Sequence, residues 1–156
     1  GHTYAAGLSL KEENLDAFTQ RFLKLAADEI IPEQMTPQID IDAVLDLQDI
    51  NSKFMSELKK MNPFGPDNQK PVFCSLGVKD YGTSKLVGKD LEHIKLELID
   101  DKSNTPIHGI AFGMRQHNTH IKNMKPFNIC YTIEENTYNG NTSLQLMVKD
   151  IKENDI

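Results

Sequence analysis

Residues 127–148 read FNICYTIEENTYNGNTSLQLMV, and they give the clearest indication of the fold. Apolar and polar residues alternate on both sides of a central Asn139-Gly140 step. Strict alternation is typical of a strand that is buried on one face, and Asn-Gly is a preferred pair for a two-residue hairpin turn. The stretch therefore predicts two antiparallel strands whose core-facing residues are Phe127, Ile129, Tyr131 and Ile133 on the first and Leu144, Leu146 and Val148 on the second.

Similar strand-like runs precede this hairpin. They cover residues 72–78, 84–88, 93–99 and 107–112, and the hairpin strands themselves extend over 127–135 and 143–151. A polar stretch at 114–123 has room for one short helix. Small antiparallel proteins of this length commonly close into the OB-fold barrel. We predict an α+β protein that is mainly β, an OB-fold barrel of five to six antiparallel strands.

The residues before the barrel have a different pattern. Ser9 and Glu12 have the spacing of a helix capping box, and apolar residues at helical spacing predict a helix over residues 12–31. Residues 38–43 alternate like a strand, and Asn51 is placed to cap a second helix. One strand and two helices do not close a core, because a strand needs hydrogen-bonded neighbours. We therefore expect a truncated α/β segment that either docks imperfectly on the barrel or uses its open strand edge to pair with a second copy in a homodimer.

Composition sets further limits. The 156 residues are 38% hydrophobic and 26% charged, and no apolar run is long enough to cross a membrane. The formal net charge is −6, and residues 1–61 carry five of these six net charges, so the barrel region is nearly neutral. An acidic total weakens a nucleic-acid hypothesis without excluding it, since binding depends on the local face. Cys74 and Cys130 stand apart in apolar runs, which indicates reduced core thiols in a cytoplasmic protein.

Three stretches carry a family resemblance. Residues 1–7 read GHTYAAG, residues 62–73 read NPFGPDNQKPVF, and residues 131–140 read YTIEENTYNG. The first resembles the end of the GGHxxAAG signature of DHH-associated domains, and the other two resemble the connector and closing hairpin of RecJ proteins. The chain thus resembles the C-terminal part of the RecJ family of single-stranded-DNA-specific exonucleases over nearly its whole length. Asp67 stands where the family's connector usually has a glycine.

The resemblance implies both an organisation and a function. Residues 1–61 would be the end of a DHH-associated domain, 62–71 a connector, and 72–156 an OB-fold domain that binds nucleic acid. The parent protein would be a 5′→3′ exonuclease of DNA repair and recombination, with single-stranded DNA and single-strand-binding protein as partners. Its hydrolysis would use Mg²⁺ or Mn²⁺ held by aspartate and histidine motifs that this sequence does not contain. We therefore expect this chain to hold no metal or other cofactor and to be inactive as a nuclease by itself.

Two groups of residues are candidates for holding nucleic acid. The first is the small-residue loop, whose backbone amides would face a phosphate while a histidine donates a hydrogen bond. The second lies on the barrel, where lysines would follow the strand's backbone and an aromatic ring would stack on a base. The candidates are Gly1, His2, Ala5, Ala6 and Gly7 in the loop, and Lys89, His93, Lys95, Asn136, Tyr138, Asn139 and Gln145 on the barrel. Lys95 lies between two core residues and must therefore point outward.

Other interpretations stay open at this point. The loop glycines also suit turn geometry alone, and any one lysine on a strand can simply be solvated. The chain could be a free-standing OB-fold module for binding or protein interaction, or part of another DHH-family phosphoesterase. A metal site at His108, His117 and His120 is disfavoured, because the sequence shows no nearby cysteine or carboxylate to complete it. We expect these three histidines to lie at the surface.

Overall fold

The computed structural model describes residues 5–138 and 140–154, and these divide into two compact units between Ile39 and Asp40. The first unit contains helix α1 (Leu15–Glu29), and the second contains α2 (Ser52–Lys59) and α3 (Asn118–Lys122). The strands of the second unit are β1 (Ala43–Val44), β2 (Phe73–Asp80), β3 (Lys85–Val87), β4 (His93–Ile99), β5 (Ile107–Ala111), β6 (Phe127–Tyr138) and β7 (Asn141–Glu153).

Strand pairing closes the second unit on itself. The sheet order is β1-β2-β6-β7-β5-β4-β3, and β2 also pairs with β4. This additional pairing joins β2, β6, β7, β5 and β4 into a closed ring, with α3 inserted between β5 and β6. Five ring strands with one helix before the fourth is the OB-fold topology, and it confirms the prediction of a mainly β OB-fold.

Two of the strand pairings are parallel. β5 pairs with β7 in parallel, and β1 pairs with β2 in parallel. The connection through α3 carries the chain from β5 across to β6, and β6 then forms a hairpin with β7. β6 runs opposite to β5, because the pairings of β5 with β4, of β4 with β2 and of β2 with β6 are all antiparallel. β7 reverses the direction of β6 and therefore runs the same way as β5. β1 was not among the strands predicted for the barrel, so the prediction of an antiparallel barrel was wrong only for the β5–β7 pair.

The core lies inside the ring, where the sequence alternation placed it. Ile94, Leu96 and Leu98 of β4 are fully buried, and so are Tyr131 of β6 and Leu146 of β7. Burying an aliphatic side chain of this size contributes about 1.5–3 kcal/mol, so this alternation is the main reason the strands hold their register.

The predicted hairpin between β6 and β7 is formed. Tyr138 pairs with Asn141 through the backbone, and Gly140 has a φ of +80°. A two-residue turn of this kind needs positive φ at its second position, which glycine adopts without strain. The predicted first turn residue, Asn139, lies outside the described residues.

Residues 40–61 lie with the barrel rather than with the first unit, where the sequence analysis had placed them. β1 is hydrogen-bonded to β2, and Leu47 and Leu58 belong to the barrel's hydrophobic core. The strand expected at 38–43 is not formed at residues 38–42, and the observed strand Ala43–Val44 pairs with β2 of this chain. An unpaired strand therefore gives no support to a homodimer. Asn51 caps α2 as predicted, since its Oδ1 accepts hydrogen bonds from two backbone amides, at 3.0 and 3.1 Å.

The first unit consists of the predicted helix and two short 3₁₀ turns within its described residues, 5–39. The turn over Glu12–Asn14 leads into α1, but no side chain caps this turn, so the capping box predicted at Ser9 is not formed. No residue of α1 is buried within the described part of the chain. Its apolar stripe is exposed and comprises Leu15, Phe18, Phe22 and Leu25.

The cysteines and the helices agree with two of the compositional expectations. Cys74 and Cys130 are free and buried and lie opposite each other on β2 and β6. Burial raises the pKa of both thiols, which keeps them protonated and weakly reactive. Among the described residues, no helix is both long and apolar enough to span a membrane.

Candidate nucleic-acid interface

One surface of the barrel gathers the outward side chains of β3, β4 and β5, and we call it the outer face. Because Ile94, Leu96 and Leu98 point into the core, the residues between them point to the opposite side. Residues directly opposite each other on paired strands share a face. The members of the outer face are Lys85, Val87, His93, Lys95, Glu97, His108, Ile110 and Phe112.

Strand register arranges the outer face in rows. One row joins Lys85, Lys95 and Ile110 across β3, β4 and β5. A second row joins Glu97 and His108 and continues to Gln145 of β7. These rows cross the strands, so they bring together residues that lie far apart in the sequence.

A groove opens beside these rows and unites three of the predicted residues. Lys95, Asn136 and Gln145 line a cavity of about 360 Å³ together with His108 and Ser143. The groove thus combines one ammonium group with amide, imidazole and hydroxyl groups, all of which can donate hydrogen bonds to phosphate or base oxygens.

Sequence reasoning did not select His108 or Ser143 for this surface. His108 was considered only as a metal ligand, although its position next to the buried Gly109 already indicated an outward side chain. Ser143 lies directly opposite Asn136 in the hairpin, and that register follows from the Asn-Gly turn. Both residues could therefore have been found from alternation and hairpin pairing.

Acidic groups near the groove already have partners. Glu97 accepts a hydrogen bond from the Thr83 hydroxyl, and its Oε1 lies 3.6 Å from Nδ1 of His108. Glu134 forms an ion pair with Lys70, with 2.7 Å between Oε1 and Nζ. The charge of Glu134 is thus partly offset by Lys70, whereas Glu97 has only hydrogen-bonding neighbours, and Lys95 makes no ion pair with any described residue.

His93 and Lys89 lie at one end of the outer face. The Nδ1 atom of His93 accepts a hydrogen bond from the Gly113 amide at 3.0 Å, and its ring packs edge-on against Phe112, with 4.9 Å between ring centroids. Lys89 follows Gly88 in the exposed loop between β3 and β4. A side chain at Gly88 would lie 3.2 Å from the His93 ring, and its φ is +94°, so this close approach requires glycine.

A buried carboxylate anchors the turn that leads into β3. Asp80 is 1% exposed, and its Oδ1 accepts a hydrogen bond from the Ser84 amide at 3.0 Å. Burial by itself would raise the pKa of Asp80, but hydrogen bonds from Ser84 and Gly82 and the charge of Lys122 outweigh it and lower the pKa. The anchor therefore keeps its charge and helps to position β3 on the outer face.

Several predicted residues are not placed on this surface. Gly1 and His2 lie outside the described residues, as do Asn139 and the side chain of Tyr138. Ala5, Ala6 and Gly7 are exposed and belong to the first unit. The phosphate-binding role of this loop stays a prediction.

The histidines near α3 correct one expectation. His117 and His120 are not free at the surface, because their Nδ1 atoms lie 2.8 and 3.2 Å from the carboxylate of Glu153. β7 runs two residues beyond its predicted end and so brings this carboxylate to α3. Across residues 5–138 and 140–154, no group of three or more His, Cys, Asp or Glu side chains is arranged to hold a metal ion. The residues present therefore do not fit a divalent-metal site.

Comparison with known proteins agrees with the predicted resemblance. Residues 41–150 match the family model described as the RecJ OB domain. The chain is 28% identical over 152 residues to the single-stranded-DNA-specific exonuclease RecJ of Haemophilus influenzae, and 27% identical over 151 residues to that of Bacillus subtilis. The alignments cover 97% and 96% of this chain but only 26% and 19% of those two proteins.

A solved structure shares the fold. The crystal structure of RecJ from Thermus thermophilus in complex with Mn²⁺ superimposes with a TM-score of 0.73 at 17% identity. The match covers 96% of this chain and 21% of that one, and a complex of the same protein with Mg²⁺ gives a TM-score of 0.71.

Proposed function

The chain belongs to the RecJ OB domain family, and from this premise we propose that its barrel grips single-stranded DNA for a RecJ-type exonuclease. In this proposal the outer face and the adjoining groove hold the strand, and hydrolysis takes place in a part of the parent protein outside this chain. The parent would degrade single strands in the 5′→3′ direction during DNA repair and recombination, in the cytoplasm.

The observation that carries this proposal is the composition of the groove. An ammonium group at Lys95 lies with the hydrogen-bonding side chains of Asn136, Ser143 and Gln145 around one open cavity of about 360 Å³. Proteins that hold single strands combine a cationic track for the phosphates with polar and aromatic groups for the bases. The groove supplies one cationic group and several polar groups on the strands of the barrel.

The acidic net charge of the chain is compatible with this assignment. Five of the six net negative charges belong to residues 1–61, and Glu97 and Glu134 near the groove are engaged by Thr83 and Lys70. Phosphates respond mainly to charges within about 10 Å at ordinary ionic strength, so the groups that line the groove affect binding more than the net charge of the chain. We expect modest affinity with a clear salt dependence.

Metal-dependent hydrolysis is assigned to the parent and not to this chain. The Thermus thermophilus RecJ structures contain Mn²⁺ or Mg²⁺, whereas the described residues here offer no suitable ligand cluster. The divalent ion would polarise the phosphodiester and activate water in the remainder of the parent protein.

The test is the salt dependence of binding. Fluorescence anisotropy with a labelled oligothymidylate should give a linear plot of log affinity against log salt for the unaltered chain. Lys95→Ala should weaken binding and reduce the slope by about 0.7, the value for one lost contact to a single strand. Lys53→Ala is the matched control, because Lys53 is an exposed lysine on α2 outside the outer face.

The outcome of this test distinguishes a contact in the groove from a general effect of charge and from a protein-interaction role. Equal effects of the two substitutions would show that the loss is one of overall charge and not of a contact in the groove. Absence of any single-strand binding by the folded chain would favour a protein-interaction module instead.

A further inference from the structure

Two lysines lie directly opposite each other on the outer face. Lys85 of β3 lies directly opposite Lys95 of β4, and both are exposed. Like charges directly opposite on paired strands are destabilising. Neither lysine forms an ion pair with a described residue, so no direct partner offsets this repulsion. An anion placed between the two ammonium groups would offset it.

An exposed aromatic ring lies in the next row of the same face. Phe112 is 55% exposed, although its neighbour Ala111 is fully buried. It packs edge-on against His93, and His93 is itself held by the hydrogen bond from the Gly113 amide. The Phe112 ring is therefore held by the nearly perpendicular His93 ring, while about half of its surface is open to solvent. This is the form of a stacking platform, because a base can lie on a ring that is already held in place.

The two features are close enough to act on one ligand. His93 and Lys95 are two residues apart on β4, so the aromatic row and the lysine row are roughly 7 Å apart at the rise of a strand. On the other side of the lysine row lies Glu97, whose carboxylate disfavours a phosphate. The phosphate of a nucleotide bound at this pair is thus favoured on the side that carries Phe112.

We propose that Phe112, Lys85 and Lys95 form a subsite for one nucleotide of the single strand, in which the base stacks on Phe112 and the adjoining phosphate lies between the two lysines. The subsite rests on the proposed function, and it adds Phe112 and Lys85 to the residues that hold the strand. The subsite adjoins the groove, because Lys95 belongs to both.

The test compares two oligonucleotides on the full 156-residue chain. One is a labelled oligothymidylate, and the other has the same length and abasic residues throughout, so it offers phosphates without bases. Phe112→Ala should weaken binding of oligothymidylate by about five-fold or more, the low end for one stacked base, and leave abasic binding unchanged. Lys85→Gln should weaken binding of both and lower both salt slopes by about 0.7.

Matched variants control for folding and for general effects. Phe112→Tyr keeps the ring and should retain oligothymidylate binding. Phe22→Ala removes a phenylalanine of similar exposure, 58%, from the first unit, and Lys53→Gln removes a lysine from α2. Both controls should bind like the unaltered chain. Circular dichroism melting of each variant checks that the barrel is folded.

The outcomes distinguish the subsite from the proposed function. If Lys95→Ala changes the slope while folded Phe112→Ala binds oligothymidylate normally, the subsite is wrong and the proposed function stands. If Phe112→Ala weakens both oligonucleotides equally, the ring does not stack on a base, and the subsite is again wrong. Failure of the unaltered chain to bind any single strand would overturn both.

Discussion

A buried hydroxyl pair provides the sharpest test of how the barrel is held together. The Tyr131 hydroxyl and the Ser75 hydroxyl are 2.7 Å apart, and the Ser75 hydroxyl donates to the Leu45 carbonyl, also at 2.7 Å. Because serine has one proton and gives it to Leu45, Tyr131 must donate to Ser75. Burial raises the pKa of Tyr131 well above its usual value, so the phenol remains a donor. The chain of bonds links β6 and β2 to the residue that follows β1.

The two hydroxyls differ in how much their removal should lower the free energy of unfolding. Tyr131→Phe deletes one neutral hydrogen bond and should reduce the free energy of unfolding by about 1 kcal/mol. Ser75→Ala leaves the fully buried Tyr131 hydroxyl without an acceptor and the Leu45 carbonyl without its donor. An unsatisfied buried group costs about 1–3 kcal/mol, so Ser75→Ala should cost about 2 kcal/mol or more. In the double variant the phenol is gone, and the total should be smaller than the sum of the two single losses by about 1 kcal/mol.

Urea unfolding of the four proteins, followed by far-ultraviolet circular dichroism, measures these differences at a common m-value. The expected order of destabilisation is Ser75→Ala above Tyr131→Phe, with clear non-additivity in the double variant. A Tyr131→Phe loss equal to or larger than the Ser75→Ala loss would refute the assigned direction of the hydrogen bonds. Strict additivity would refute the coupling of the two hydroxyls.

Two further predictions concern stability. Asn51→Ala removes the cap of α2 and should lower the free energy of unfolding by about 1 kcal/mol, measured by the same urea titration, whereas Asn51→Asp should preserve most of it. Because the pKa of Asp80 is lowered in the folded state, its stabilising effect should be complete above the unfolded pKa of about 4 and decline as the pH falls below that value. Asp80→Asn should therefore be less stable than the unaltered chain at about pH 7, and thermal melts should show the difference narrowing in acid; a constant difference would contradict the assignment.

Much of the barrel could be predicted because the alternation of inward- and outward-facing side chains in a strand is visible in that strand's own sequence. The core residues of β4, β6 and β7 follow from period two, and the Asn139-Gly140 step places the hairpin. Lys95 was correctly predicted to face outward for the same reason. The helix over α1 and the Asn51 cap also depend only on neighbouring residues.

Properties that depend on which strands become neighbours could not be predicted in this way. Alternation does not say that β7 lies beside β5, and that pairing is what brings Gln145 to the groove next to His108. It does not say that Lys85 faces Lys95, because the register of a three-residue strand is set by its partner. Likewise, Glu153 reaches His117 only because β7 continues along β6 to that point.

The OB-fold, its core residues and the family resemblance could thus be predicted from patterns and motifs in the sequence. The tertiary structure alone decided that residues 40–61 join the barrel, that two strand pairs are parallel, and that lysines, amides and an aromatic ring share one face. The physical reason is that local patterns depend on contacts between residues a few positions apart. A binding surface depends on which strands pair with each other across the whole ring. Pairing between segments far apart in the sequence cannot be recognised from the residues of any one segment.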